Sequence, residues 1–225
     1  MAGLISLFPT LIYKDLPLVQ NFDLINDEVE ECYKKIVDND EYDNVSWIHE
    51  KGNEIRRAKE STEHSYLISD DLIGNYNLLN LKERILNAVE RYVHASMWSR
   101  VHGGRLTEKT SGYNIHIKSS WLNIQTNKNH DWHCHPGYEI AGVYYHEVDP
   151  DKGGIQFQNP NIMMQSCWFP EGNRTPQSIE LIPQKGDIIL FPAWLMHNTV
   201  ENNTDSPRIS IAFNVDLELL LDKKS

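Results

Sequence analysis

The chain has 225 residues, enough for one domain with a hydrophobic core, and its formal net charge of −11 repels phosphate backbones, so we expect no nucleic-acid partner. No stretch reaches the roughly 18 apolar residues of a membrane span, and the N-terminus lacks a basic leader, so we expect neither a membrane partner nor a signal peptide. Three cysteines without a CxxC pair are typical of a reducing compartment, which predicts a cytoplasmic location.

The first part of the chain, residues 1–104, reads as mainly helical. Apolar residues recur at spacings of three and four over residues 22–38, which predicts an amphipathic helix. A second apolar stripe predicts another helix from about Leu72 to Met97. Residues 39–70, between them, are polar and are expected to be irregular.

From about Ser119 the pattern changes to short β-branched and aromatic segments separated by Gly, Pro, Asn and Asp. The predicted strands lie near residues 119–126, 131–135, 139–147, 154–158, 177–182, 187–191, 196–201 and 207–215. Eight short strands predict two packed sheets of the jelly-roll type, with the helices covering one sheet. We therefore expect a mainly β fold, built as one domain over residues 1–225 with a β core at 105–216.

The pair His133 and His135 is the first candidate for a metal site. Alternation along a strand places both imidazoles on one face and Cys134 on the other. His197, which follows a distant apolar strand, supplies a third imidazole. Three nitrogens on one side of an ion leave the other side open, which suits iron in oxygen chemistry. The alternative is surface histidines at turns.

Other histidines compete for the same role. His116, His130 and His146 lie close to the same predicted strands. His130 precedes the His133 strand and is expected just outside the ligand set. His146 begins an acidic, turn-rich stretch and is expected to be exposed.

The last predicted strand opens with Arg208 and Ser210. Alternation places both on one face, opposite a wholly apolar face. A guanidinium beside a hydroxyl is suited to binding a carboxylate. The alternative is a surface arginine paired with Glu201 or Asp205.

These motifs together resemble the 2-oxoglutarate- and Fe(II)-dependent oxygenase superfamily. The similarity covers roughly residues 105–216 and is specific in the order and spacing of its pieces. The matching segments are SSWLNIQ (119–125), WHCHPGYEIAGVYY (132–145), GGIQFQNP (153–160), KGDIILFPAWLMHNTV (185–200) and RISIAFNV (208–215).

The resemblance implies a double-stranded β-helix that holds Fe(II) at His133 and His197 and binds 2-oxoglutarate through Arg208 and Ser210. It further implies O2 as co-substrate and hydroxylation of a substrate, a small molecule or a peptide, that the sequence does not identify. Asn123, on the strand that enters the site, is a candidate for hydrogen bonds to the co-substrate. Of two adjacent tyrosines, 144 and 145, only one can face inward.

The chain departs from the superfamily in one respect. Most members place Asp or Glu where this chain has His135, so Asp131 or Glu139 could supply a carboxylate instead. We predict three histidine ligands. A neutral third ligand leaves one more positive charge on the metal.

Two rival functions remain open. A cupin-like iron dioxygenase with three histidines would not use 2-oxoglutarate and would leave Arg208 without a task. A non-catalytic jelly-roll binding module is the other. Residues 39–70 and 159–176 are expected to border the pocket, and the second segment could instead form a homodimer contact.

Overall fold

The structure is a computed structural model that describes residues 10–17, 21–38, 46–49, 55–58, 63–66, 71–96, 110–125, 129–161 and 177–221. Met97 and residues 162–176, which the sequence analysis placed at a helix end and beside the pocket, lie outside the described residues. Within these ranges, no helix combines the length and apolar character that crossing a membrane requires.

The helices follow the apolar stripes of the first part of the chain. α1 (Phe22–Asp38) coincides with the first predicted helix. The second predicted helix is divided into α2 (Leu72–Asn75) and α3 (Leu79–Ala95). The break lies at Asn77, whose φ of 53° is left-handed and incompatible with a helix interior.

Eleven strands are present in the described part of the chain. They are β1 (Tyr13–Asp15), β2 (Ser46–His49), β3 (Ile55–Ala58), β4 (Glu63–Tyr66), β5 (Thr110–Gln125), β6 (Ile140–Glu147), β7 (Ile155–Gln158), β8 (Ser178–Leu181), β9 (Ile188–Pro192), β10 (His197–Thr199) and β11 (Arg208–Leu221). The main sheet has the order β1-β9-β6-β11-β5-β4, a smaller sheet has the order β10-β7-β8, and β2 pairs with β3. All pairings are antiparallel.

Each face of the main sheet contributes to a different core. One face packs against α1, α2 and α3, and this core includes Ile85 of α3, Ile211 and Phe213 of β11. The other face packs against the smaller sheet, where the rings of Phe157 and Phe191 lie 4.9 Å apart. The molecule thus has a helix layer on a two-sheet sandwich, as the sequence predicts.

Two strand predictions were wrong. Residues 39–70, expected to be irregular, contain β2, β3 and β4. Each of these strands is only four residues long, and β4 lies at the edge of the main sheet, so composition carries little strand signal there. Residues 131–135 form only a single bridge at His133, because Pro136 and Gly137 turn the chain immediately afterwards.

Candidate active site

The structure brings His133, His135 and His197 together at one end of the sandwich. His133 and His197 form an antiparallel bridge, in which each backbone N–H donates to the other carbonyl at 2.9 Å. The backbone N–H of His135 donates to the carbonyl oxygen of Ala193 at 2.8 Å. The HxH segment is therefore fixed to the turn that links β9 to β10.

The three imidazoles converge. One ring nitrogen from each lies within 4.8 Å of the others, and the ring centroids of His133 and His197 are 4.3 Å apart. Ligand atoms that share one transition-metal ion are separated by about 3–4 Å. The arrangement is thus close to that of a three-nitrogen metal site.

Hydrogen bonds show which ring nitrogen of each histidine already has a partner in the protein. Nδ1 of His133 donates to the carbonyl oxygen of Asp131 at 2.7 Å, and Nδ1 of His197 to that of Leu195 at 2.9 Å. Nδ1 of His135 lies 2.6 Å from Oδ1 of Asn214. Because oxygens of this kind only accept, each Nδ1 carries a proton, and in the neutral form of each ring Nε2 is then the nitrogen with a lone pair for a metal.

The surroundings keep two of these histidines neutral. Burial, aided by the nearby His133, lowers the pKa of His197 to about 3. Burial also lowers the pKa of His135, whose ring stacks on Trp121 with centroids 5.8 Å apart. Neutral imidazole is the form that binds a metal, so the site fits a divalent ion of the iron type.

The neighbouring carboxylates point elsewhere. Oε2 of Glu139 accepts a hydrogen bond from the backbone N–H of Leu217 at 3.0 Å. Asp131 is exposed, and it is the carbonyl oxygen of this residue that contacts His133. Among the described residues, the convergent group contains histidines alone.

Arg208 is 2% exposed and lies inside the sandwich. Its Nη1 donates to the carbonyl oxygens of Lys152 at 3.0 Å, Gly153 at 3.1 Å and Val200 at 3.2 Å. Its Nε and Nη2 both donate to Oε1 of Gln125. The alternative of a surface arginine paired with an acid is therefore wrong.

Gly153 permits the carbonyl oxygens to approach Arg208. Its φ is 71°, and a Cβ at this position would lie 2.7 Å from the carbonyl oxygen of Val200. A side chain would clash there, so glycine allows the chain before β7 to lie against the segment that follows β10.

Polar side chains continue from Arg208 along the same face. Ser210 pairs with Asn123 across β5 and with Tyr145 across β6, and all three are at most 6% exposed. Burial raises the pKa of the Tyr145 phenol, which Arg208 partly counteracts. Tyr144 lies instead in the core on the helix side. This interior face therefore carries one guanidinium, two hydroxyls and an amide.

The competing histidines have separate roles. His116 is exposed, and its Nε2 lies 3.1 Å from a carboxylate oxygen of Glu218. His146, expected to be exposed, is 1% exposed, and its Nε2 lies 2.9 Å from Glu30 of α1. That prediction was wrong because β6 is a central strand with both faces covered. The ring of His130 lies 6.1 Å from that of His133.

Sequence reasoning missed Asn214 and Thr199. Asn214 holds His135, and its Nδ2 donates to Oγ of Ser119 at 2.9 Å. Thr199 Oγ1 accepts from Nε2 of Gln125 at 3.2 Å. Extending the β11 alternation by two positions beyond Ala212 would have placed Asn214 on the site face. No local pattern indicates the role of Thr199.

Comparisons with known proteins agree with this geometry. Residues 119–214 match the family model described as "Putative 2OG-Fe(II) oxygenase". The search of curated proteins found no significant match.

Several solved structures share the fold. The epimerase SnoN from nogalamycin biosynthesis, solved with Fe3+, alpha ketoglutarate and nogalamycin RO, is 13% identical, with a TM-score of 0.57 over 92% of this chain and 79% of that one. A prolyl hydroxylase from Trichoplax adhaerens, solved with a hypoxia inducible factor peptide, is 13% identical, with a TM-score of 0.55 over 91% and 83%. HygX from Streptomyces hygroscopicus, solved with nickel and 2-oxoglutarate, is 11% identical, with a TM-score of 0.51 over 92% and 83%.

At these identities the likeness establishes the fold, which is the double-stranded β-helix. The resemblance carried by the motifs is thereby confirmed: residues 119–214 match the model of the 2OG-Fe(II) oxygenases, and Fe(II) and 2-oxoglutarate are the cofactors that this match indicates.

Proposed function

We propose that this protein is a hydroxylase that couples the oxidative decarboxylation of 2-oxoglutarate to the hydroxylation of a substrate. In this proposal His133, His135 and His197 hold the iron through Nε2, and Arg208 binds the distal carboxylate of 2-oxoglutarate. The observation that carries the proposal is the convergence of three imidazole nitrogens, within 4.8 Å of one another, in a sandwich that also encloses the buried Arg208.

The cofactors supply the redox chemistry. When bound, Fe(II) would activate O2, which takes two electrons from 2-oxoglutarate and two from a C–H bond of the substrate, so that one oxygen atom enters succinate, with release of CO2, and the other enters the substrate as hydroxyl. The residues of the chain bind and orient the cofactors and exclude water. The backbone bonds to Nη1 of Arg208 fix the guanidinium, while Ser210 and Asn123 add a hydroxyl and an amide beside it.

The rival functions are not favoured. A cupin-like dioxygenase without 2-oxoglutarate leaves a fully buried guanidinium without a role, and burying a charge of that kind is costly. A binding module leaves three convergent imidazoles, each oriented by its own hydrogen bond, without a purpose. The family match also favours the oxygenase.

The substrate enters from the end of the sandwich that carries the histidines. Trp132 and Trp194, adjacent in sequence to His133 and Ala193, are 41% and 57% exposed. These aromatic surfaces support a small-molecule or peptide substrate that presents an apolar or planar group. The cytoplasmic location and the homodimer stay predictions.

Anaerobic titration of 2-oxoglutarate into the Fe(II) protein tests the proposal. The wild type is expected to develop the absorption band of an iron–2-oxoglutarate chelate and, once O2 is admitted, to form succinate. Arg208→Ala and Arg208→Lys should keep metal binding and lose most of the affinity for 2-oxoglutarate. Arg91→Ala, at a 54% exposed arginine outside the site, is the matched control.

A second set of variants tests the ligands. His133→Ala and His197→Ala should lose metal, whereas His116→Ala, at an exposed histidine, should not. Full metal occupancy in both ligand variants would show that the iron site lies elsewhere. Unchanged affinity for 2-oxoglutarate in both Arg208 variants would refute the carboxylate assignment.

A further inference from the structure

The guanidinium of Arg208 has two edges with different partners. Nη1 donates only to backbone carbonyl oxygens, those of Lys152, Gly153 and Val200 at 3.0–3.2 Å, with a fourth, Gly154, at 3.5 Å. These contacts are part of the fold and are not available to a ligand. The other edge, Nε and Nη2, donates to a side chain, the amide of Gln125.

Gln125 is placed to hold that edge. It is 2% exposed and lies directly opposite Arg208 in the register of β5 and β11. Its Oε1 accepts from Nε of Arg208 at 3.2 Å and also from Nη2. Its Nε2 donates to Oγ1 of Thr199 at 3.2 Å, two residues after His197 on β10. The amide thus lies between Arg208 and the strand of a metal ligand.

The Nε/Nη2 edge is also one that a carboxylate can bind. Two parallel N–H groups match the two oxygens of a carboxylate, and the charge makes those bonds about twice as strong as bonds to a neutral amide. Gln125 offers a single neutral oxygen to both donors. A carboxylate and the Gln125 amide therefore compete for the same two N–H groups.

We propose that Gln125 controls the binding of the 2-oxoglutarate distal carboxylate: its amide oxygen holds the Nε/Nη2 edge of Arg208 and must be displaced before the carboxylate can bind there. This inference rests on the proposed function. It makes Gln125 a residue that sets the co-substrate affinity by competition, without supplying a favourable contact to the carboxylate.

Competition predicts effects in opposite directions for two substitutions. Gln125→Ala removes the competitor and leaves Arg208 with unpaired donors, so 2-oxoglutarate should bind about 3- to 10-fold more tightly, the equivalent of one displaced hydrogen bond. Gln125→Glu has the same shape but places an internal carboxylate on Arg208, so binding should weaken by more than about 10-fold.

The experiment is an anaerobic titration of 2-oxoglutarate into the Fe(II)-loaded wild type and variants, with metal affinity measured in parallel as a check on folding. Gln156→Ala is the matched control, because Gln156 is a half-buried glutamine of β7 whose Nε2 donates to Oγ of Ser178 at 2.8 Å, away from Arg208. The control should leave the dissociation constant for 2-oxoglutarate unchanged.

The outcomes separate the inference from the function on which it rests. Tighter binding in Gln125→Ala together with weaker binding in Gln125→Glu supports competition. Weaker or unchanged binding in Gln125→Ala overturns it, and so does unchanged binding in Gln125→Glu when the alanine variant does not fold. If the wild type itself does not bind 2-oxoglutarate, the proposed function fails, whatever the variants do.

Discussion

Replacing Asn214 with alanine is expected to weaken metal binding without unfolding the protein. Asn214 is 5% exposed, and its Oδ1 is the hydrogen-bond partner of Nδ1 of His135, at 2.6 Å. Its own orientation is fixed because Nδ2 donates to Oγ of Ser119 at 2.9 Å. The substitution removes the group that keeps the proton on Nδ1 and the lone pair on Nε2.

The expected loss of metal affinity follows from the interactions that His135 keeps in the variant. A neutral hydrogen bond contributes about 0.5–1.5 kcal/mol, which sets the lower bound of the effect. Loss of orientation adds to it, because the stacking of His135 on Trp121, with centroids 5.8 Å apart, does not select one tautomer. Removing the hydrogen-bond partner of a metal-bound histidine typically weakens metal binding by about 10- to 100-fold, or about 1.4–2.8 kcal/mol. Ser119→Ala, which removes only the anchor of Asn214, should cost about 2- to 5-fold.

The assay is a titration of Ni(II) against a chromophoric chelator, which needs no turnover and is insensitive to O2. Asn80→Ala is the control, because Asn80 is likewise an asparagine with a side-chain hydrogen bond, to Glu28 at 2.7 Å on the helix side. The reasoning fails if Asn214→Ala binds Ni(II) as tightly as the wild type while its thermal unfolding is unchanged.

Three further predictions concern stability. Ile85 is 0% exposed on α3, so Ile85→Ala should lower the free energy of unfolding, measured in urea, by about 3 kcal/mol. A loss below about 1 kcal/mol would contradict close packing at this position. Asp15→Ala should cost about 3 kcal/mol in the same assay, because the largely buried Arg84, whose Nε lies 3.2 Å from the carboxylate, loses its partner. Burial lowers the pKa of His146 below its usual 6.5, and the hydrogen bond to Glu30 partly offsets this shift. As the pH falls, the unfolded state therefore takes up a proton before the folded state does, so stability is lost below about pH 6.5. His146→Gln should make unfolding free energy less dependent on pH between about pH 7 and 5, and an unchanged slope would show that other groups dominate.

Local periodicity was sufficient for much of the fold. The apolar spacing over residues 22–38 predicted α1 with both ends correct, because an amphipathic helix carries its packing face in its own sequence. The alternation on β11 correctly separated Ile211 and Phe213, which face the helices, from Ser210, which faces the smaller sheet. Both patterns depend on residues only a few positions apart.

Features that depend on distant partners were missed. His146 is buried because Glu30, 116 residues earlier in the chain, meets it from α1, and its acidic neighbours gave no sign of this contact. The Gln125–Thr199 contact likewise joins residues 74 positions apart. The helix break at Asn77 depends on a left-handed backbone conformation that asparagine permits but does not require. Sequence patterns predict faces, and the tertiary structure decides what each face meets.

In the proposed site, the charge of the iron at the three histidines and the charge of Arg208 are related. Three neutral imidazoles, one of them oriented by the neutral amide of Asn214, would leave Fe(II) with its full double charge in a partly buried position. The hydrogen bonds of Arg208 likewise go to neutral oxygens, so its positive charge is solvated by dipoles and not cancelled by them. A ligand with a carboxylate at each end, such as 2-oxoglutarate, would place one negative charge near each of these two cations. Replacing the usual acidic ligand by histidine therefore favours a dianionic co-substrate, and the amide of Gln125 then becomes the chain's own restraint on how tightly that dianion is held.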